Sequence, residues 1–400
     1  MPRAMVAGGS IAGLCAALAL RASGFKVTVH ERAGSRPGDR GGGIVAHETS
    51  LRGLTGEGGR RLDELTVPSR SLRYLDRTGR VAYEEPSSYR FTSWQTLHSG
   101  LLALAGEDCY RWGSALEDFR QDDSVTARFS DARTERADVL ICADGISSTA
   151  REKLVPGCRP RYAGYVGWRG IVPAAETEGD LFEALGSDIT YQLLGKGHIL
   201  AYPIPAPPRT TGTRGGRRRC LNWVWYRNVT AGPDLDRLRT DVAGVVHDLS
   251  VPPGALHPGC VAEMRSAAAA SLEPTLAALV LATRTPFIQV IVDVEVQRMT
   301  FGRICLAGDA AFAARPHAAA GTAKAAADAW RLGQVMREYH GDAVAALGAY
   351  EQTQLALGRA LVDRSRTLGD AVQFAGSWRP GDPALRFGLY RAGDSAFPAR

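Results

Sequence analysis

Four hundred residues, 45% of them hydrophobic, exceed the needs of one small domain and suffice for a sizeable core. The net charge of +6 comes almost wholly from arginines scattered among acids, which speaks against a nucleic-acid partner. Seven cysteines, an odd number without CxxC spacing, argue against a disulfide framework or a metal site and for a reducing, cytoplasmic setting; no apolar run reaches about 18 residues, so no membrane span is expected.

Ala4-Met5-Val6-Ala7 reads as a short buried strand, residues 8–13 as a tight turn, residues 14–23 as a helix with apolar steps of three and four, and residues 25–30 as a second strand closed by Glu31. Arg3 before an Ala/Leu-rich run imitates a leader peptide, but Gly8, Gly9 and Gly13 break that run. Strand, glycine-rich turn, helix, strand and acid form the order of a dinucleotide-binding βαβ unit. Gly8 permits the sharp turn, positions 9 to 12 let a pyrophosphate approach the backbone, and Gly13 lets helix and strand pack closely. The helix N-terminus offers free N–H groups and partial positive charge. Glu31 lies 18 residues past Gly13, within reach of ribose hydroxyls, and Ser10 replaces the middle glycine of G-x-G-x-x-G.

A polar loop then leads to Ile44-Val45 and His47, and residues 49–64 read as interrupted helix. Residues 71–92 alternate around Asp76-Arg77-Thr78-Gly79, which is hairpin chemistry. Residues 96–105 are helical, with strands near 108–112, 124–129 and 138–142. Residues 161–230 are β-rich, 234–249 and 266–282 read as helices, and 287–296 alternates as a strand. Ile304-Cys305-Leu306-Ala307 is a third buried strand, followed by long helices over 321–338 and about 342–368. The last thirty residues, rich in Pro, Gly and Arg, carry little signal. The expected division is a nucleotide-binding domain over 1–70, 93–160 and 284–370, an inserted β-rich lobe over 71–92 and 161–283, and a tail over 371–400.

Two later turns repeat the chemistry of the first. Asp144-Gly145 ends a strand, with Ser148 and Arg151 at three-residue steps, and Gly308-Asp309 ends another. Pro316 and Gly321-Thr322-Ala323 then open a helix whose N-terminus can face an anionic ring edge. Either turn alone is common; both in order behind a dinucleotide unit are specific.

The stretches GGSIAG…ER, CADGISSTAR and LAGDAAFAARPHAAAG, spread over residues 8–328, resemble those of the single-component FAD-dependent aromatic hydroxylases with the para-hydroxybenzoate hydroxylase-like fold. Residues 162–170, 222–228 and 315–324 look closest to hydroxypyridine hydroxylases within it. The resemblance implies an α/β protein, a Rossmann-like FAD-binding domain with an inserted β-rich substrate lobe and C-terminal helices. It implies an FAD- and NAD(P)H-dependent monooxygenase that takes O₂ and hydroxylates a small electron-rich aromatic or hydroxypyridine-like ring through a flavin hydroperoxide. By resemblance, Gly8, Ser10, Ile11, Ala12 and Gly13 hold the pyrophosphate, Glu31 and Arg32 the adenosine, and Leu116 packs near the adenine. Asp309 binds the ribityl chain, Pro316, Gly321, Thr322 and Ala323 flank the isoalloxazine, and Asp144 with Gly145 serves flavin and nicotinamide. Ser93-Trp94-Gln95 departs from the family by standing where many members aim an Arg at the flavin, and Lys324 stands where many have Asn.

Such chemistry needs water excluded and a base or acceptor within about 3 Å of the substrate hydroxyl. His47, His317 and Tyr226 are the catalytic candidates, and Tyr202 and Trp225 the substrate-facing ones; the alternatives are a loop histidine and plain core aromatics. A halogenase is disfavoured because Trp223-Val224-Trp225-Tyr226-Arg227-Asn228 lacks the Ile-Pro of W-x-W-x-I-P. An epoxidising or Baeyer–Villiger enzyme and a flavin-holding binding protein stay open, as does a homodimer. Residues 214–219 read as a hairpin tip, with attraction of NADPH phosphate as the sharper alternative.

Overall fold

A computed structural model describes residues 1–36, 41–177, 179–206 and 219–397. Of the arginine run, residues 214–218 lie outside the described residues; Arg219 opens a strand. The opening strand Arg3–Ala7 is central in a six-stranded sheet, parallel to Lys26–Glu31 on one side and to Val139–Cys142 on the other. Ile304–Leu306 continues the sheet in parallel beyond Val139–Cys142. Val6, Val29, Val139, Leu140, Ile141 and Leu306 are fully buried, as expected of parallel strands covered on both faces. Ala7 pairs with Cys142, and Cys142 with Leu306, so three strands end side by side. The turns after them therefore meet at one carboxyl edge, where open parallel sheets bind ligands.

The second large sheet runs, in order, through Ser250–Val251, Phe287–Glu295, Arg161–Pro173, Arg219–Asn228, His198–Pro205, Ile189–Leu193, Ser71–Leu75 and Val81–Pro86. Phe287–Glu295, grouped by the sequence reading with the nucleotide-binding stretches, pairs with Arg161–Pro173 in this second sheet. Alternation sorts its residues. Tyr202, Val224 and Tyr226 face the core shared with the nucleotide domain, while Trp223 and Trp225 face helices Pro258–Ser271 and Pro274–Ala282.

The expected helix over 234–249 stops at Arg239, because Asp241 turns back to accept the N–H groups of Ala243 and Val245, each at 2.9 Å. The one over 266–282 is two helices. Pro274 cannot donate to the first, and the Glu273 carboxylate caps the second through Thr275 N–H at 2.9 Å and Leu276 N–H. Among the described residues no helix is long and apolar enough to cross a membrane, and no cluster of three or more metal-ligating side chains occurs.

Candidate active site

Gly8 has φ +98°, and a Cβ there would stand 2.2 Å from the Ala143 carbonyl oxygen; a Cβ at Gly13 would stand 1.8 Å from that of Gly8. Only glycine allows that close approach. The Glu31 carboxylate braces the turn, accepting the Gly9 N–H at 2.7 Å and the Ala33 N–H at 2.9 Å. Tyr110 Oη donates to the Gly9 carbonyl at 2.9 Å, and His98 Nε2 pairs with the same oxygen at 3.1 Å. Ser10 caps helix Ile11–Arg21 without a side-chain bond, which leaves its first N–H groups to an anion.

The second turn is held by its own acid. Asp144 accepts Ser148 Oγ–H at 2.5 Å and the Ala150 N–H at 3.2 Å. Arg151 donates to the carbonyls of Ile146 and, at 3.1 Å, Ala310, and so ties the second turn to the third. In that third turn Gly308 has φ +60°, and Asp309 is crowded by protein while its outer edge opens on the cleft; burial pushes its carboxyl up to about 6. Behind it lies a buried charge pair. Lys324 Nζ reaches Asp328 Oδ2 at 2.6 Å and the Gly308 carbonyl at 3.2 Å. Asp328 accepts the Gly308 N–H at 2.8 Å and Gln354 Nε2–H at 2.9 Å.

One cleft of about 350 Å³ runs from Ser10, Ile11 and Ala12 past Gly145 and Asp309 to Pro316, Gly321 and Thr322, then into the substrate lobe. A Cβ at Gly145 or Gly321 would meet nothing within 4 Å, so the backbone there borders open space. Two helix N-termini, a carboxyl and three glycine-rich turns along one groove fit a flavin dinucleotide.

The far end is an aromatic chamber. His317 is buried, with Nε2 2.7 Å from Tyr165 Oη. His198 lies across from it, ring centroids 5.4 Å apart, with Nδ1 3.3 Å from the Gln373 amide. Tyr226 approaches both rings, at 4.9 Å from His198 and 5.1 Å from His317. Burial pushes His198 down to about 3; burial, then His198 and Arg315, holds His317 well below the ordinary histidine value. Both imidazoles are therefore neutral at neutral pH.

Two family models match the chain, "FAD binding domain-like" over residues 162–293 and "FAD binding domain" over residues 289–365. The chain is 40% identical to the 2,6-dihydroxypyridine 3-monooxygenase of Paenarthrobacter nicotinovorans, over 97% of this chain and 96% of that protein. The solved structure of 2,6-dihydroxypyridine-3-hydroxylase from Arthrobacter nicotinovorans superposes with a TM-score of 0.91 at 39% identity, covering 100% of this chain and 99% of the other. The Klebsiella pneumoniae HpxO structure complexed with FAD and uric acid gives a TM-score of 0.74 at 25% identity, covering 96% and 90%. This chain belongs to the FAD-dependent aromatic hydroxylases. It is an FAD-dependent monooxygenase.

In this monooxygenase Gly8, Ser10, Ile11, Ala12, Gly13, Gly145, Asp309, Pro316, Gly321 and Thr322 stand along or directly shape the cleft, whereas Ala323 is packed behind it. Several expectations change. Asp144 does not line the cleft, because its carboxylate is spent within its own loop. Leu116 is packed in the core and does not line the cleft; Arg32, by contrast, is exposed just past Lys26–Glu31, as a ligand contact requires. His47 is neither a surface histidine nor a cavity one: it is buried, and Nε2 pairs with the Ala319 carbonyl at 3.0 Å, which fixes the loop before Gly321. Trp225 is corrected too. It lies on the opposite face of its strand from Tyr226, packed under Arg227, because neighbouring strand residues point to opposite sides. Lys324 belongs to the buried pair behind the third turn, and Trp94, in place of the family's Arg, donates to Ser10 Oγ at 3.3 Å and stacks on His98.

Sequence reasoning missed His198, Tyr165 and the whole C-terminal segment. His198 was legible, since it is in phase with Tyr202 on one strand. The tail was not, because it has no periodicity. Trp378 and Phe387 nevertheless line the chamber. They are anchored by Trp378 Nε1 to Tyr74 Oη at 3.1 Å and by the Phe387 N–H to Tyr89 Oη at 3.2 Å.

Gly369 marks how tightly this end is built. A Cβ there would stand 2.9 Å from both His317 Cδ2 and Tyr165 Oη. Gly369→Ala is expected to leave FAD content unchanged and to cut turnover about tenfold or more by displacing the His317–Tyr165 pair, since even 1 Å of misplacement is costly. Steady-state rates beside flavin absorbance check this.

Proposed function

We propose that this monooxygenase hydroxylates a small, electron-rich hydroxylated ring of the hydroxypyridine class, with NADH or NADPH as reductant. The observation that carries the reading is the aromatic chamber at the end of the FAD cleft, holding two neutral histidines. The similarity to the 2,6-dihydroxypyridine 3-monooxygenase supports the substrate class.

Ser10, Ile11 and Ala12 would hold the pyrophosphate of FAD, Asp309 its ribityl hydroxyls, and Gly321 with Thr322 the ring edge. The bound cofactor supplies the activation of O₂. The chain supplies the rest. Tyr226, Tyr202 and Trp378 line the chamber with aromatic surface for a flat ring and displace water. Neutral His317 exchanges hydrogen bonds with Tyr165 through Nε2, while Nδ1 has no hydrogen bond to a described residue and stays available to a substrate hydroxyl. Withdrawing that proton makes the ring carbons more nucleophilic.

The test is a panel of hydroxypyridines and phenols screened with NADH and with NADPH for stimulated oxidation, the product mass being checked for one added oxygen. Stimulation without mass gain on every ring would sink the reading. Trp378→Ala is expected to retain FAD but to consume several-fold more reductant per hydroxylated product, because the chamber then admits water. Peroxide release against product formed measures it.

A further inference from the structure

The chamber floor is polar at two places. On the inner face of the substrate sheet, Gly167, Tyr226 and His198 form one cross-strand row. The next row on that face is Arg169, Val224 and Leu200, and the rows lie roughly 7 Å apart by the rise of two strand residues. The first row carries the neutral histidine end. The second carries a cation.

Arg169 is half-buried and lines the cavity. Its Nη1 donates to Gln289 Oε1 at 3.0 Å and its Nη2 to the Gly43 carbonyl at 3.3 Å. Its Nε is buried without an acceptor. Among the described residues no carboxylate lies within 4 Å of this guanidinium, whereas Arg315 and Arg366 both reach Asp293 further along the same sheet. The chain also makes room for it: a Cβ on Gly42 would stand 2.2 Å from Arg169 Nη2. A guanidinium keeps its charge at any working pH, and one held against neutral oxygens, with a donor left over, is short of an anion.

We propose that Arg169 is the substrate's counter-ion, so that the ring is bound as an anion with an ionised oxygen toward Arg169 and its neutral hydroxyl or ring nitrogen toward His198 and His317. This rests on the proposed hydroxylation of a hydroxypyridine-class ring. A ring with oxygens on either side of its nitrogen spans the gap between the two rows. The charge also enriches the ring in electrons. Arg169 is then a specificity-determining residue, rejecting rings of the same shape that cannot ionise, because these leave the guanidinium unpaired.

The experiment titrates FAD-loaded wild type, Arg169→Gln and Arg169→Lys, without reductant and without oxygen, following the flavin absorption change. The probes are 2,6-dihydroxypyridine and the isosteric 2,6-diaminopyridine, each across the pH range in which the former ionises. The other titratable groups facing the cavity are His198, His317, Tyr191, Tyr202, Tyr226 and Asp309; their effects appear with both probes and cancel in the ratio. The expected result is that wild type prefers the dihydroxy ring increasingly as it ionises. Arg169→Gln weakens that ring alone by about 10- to 100-fold and flattens the pH dependence, while Arg169→Lys keeps part of both. The Kd for FAD stays within about twofold. Equal weakening of both probes, or none, overturns the proposal, and so does a loss of FAD affinity with ring affinity intact, which would assign the anion to the flavin. Wild type that binds and hydroxylates no ring overturns the proposed function itself.

Discussion

His317→Ala is expected to lower kcat/KM for ring hydroxylation by about a hundredfold or more while FAD content holds, the usual range for a removed general acid–base group. His317 has one ring nitrogen tied, to Tyr165 Oη at 2.7 Å, and the other without a described partner. It stands on the loop ahead of helix Gly321–Glu338, away from the three glycine-rich turns. Its loss should therefore be chemical rather than structural. Tyr165→Phe keeps the imidazole and frees Nε2, so a smaller loss with an altered pH–rate profile is expected. Equal rates in His317→Ala and wild type would remove the residue from the reaction.

The same burial gives a pH prediction for stability. His198 and His317 stay neutral in the fold, with His198 down to about 3 and His317 well below the ordinary value. The unfolded chain takes up protons on both below about pH 6.5. Stability is thus unaffected by them above that pH and falls as the pH drops below it, by up to about 1.4 kcal/mol per pH unit for each histidine. Thermal unfolding against pH measures this, and His198→Gln is expected to flatten the acid limb.

The second large effect is expected at Lys324→Met. Removing the ammonium leaves Asp328 as an uncompensated buried carboxylate and should cost about 3–5 kcal/mol. The flavin should also loosen, because the pair holds both the N–H and the carbonyl of Gly308, next to Asp309. Lys324 also holds the Asp309 carboxyl down against burial. Without it that carboxyl rises further, so FAD retention in the variant should improve with increasing pH. Lys324→Met combined with Asp328→Asn removes both charges and keeps an acceptor, and it should recover most of the melting temperature. A single variant as stable and as yellow as wild type would show that the pair is dispensable.

The sequence carried the nucleotide half well because its signals are local. A glycine that must take φ +98° at Gly8 and a helix N-terminus opening at Ser10 are each written within a few neighbouring residues, and Glu31 closes the same strand–helix–strand unit. The three similar turns, read in order, were enough to place the chain among the FAD-dependent aromatic hydroxylases. Even Lys324, a departure from the family pattern, stood out in the sequence, although its partner Asp328 and its task did not.

The chamber was decided elsewhere. His198, Tyr165, His317, Gln373 and Trp378 come from different strands, a loop and the tail, and no spacing links them. His47 and Trp225 were misplaced for the same reason: whether a ring nitrogen meets a backbone carbonyl or a cavity, and which sheet face a side chain takes, depends on strand register and on what packs opposite. The sequence by itself determined the cofactor, through turns whose geometry is local. Only the tertiary structure decided what surrounds the ring, because a cavity is the space left between elements distant along the chain, and its polarity is set by which donors there find no partner.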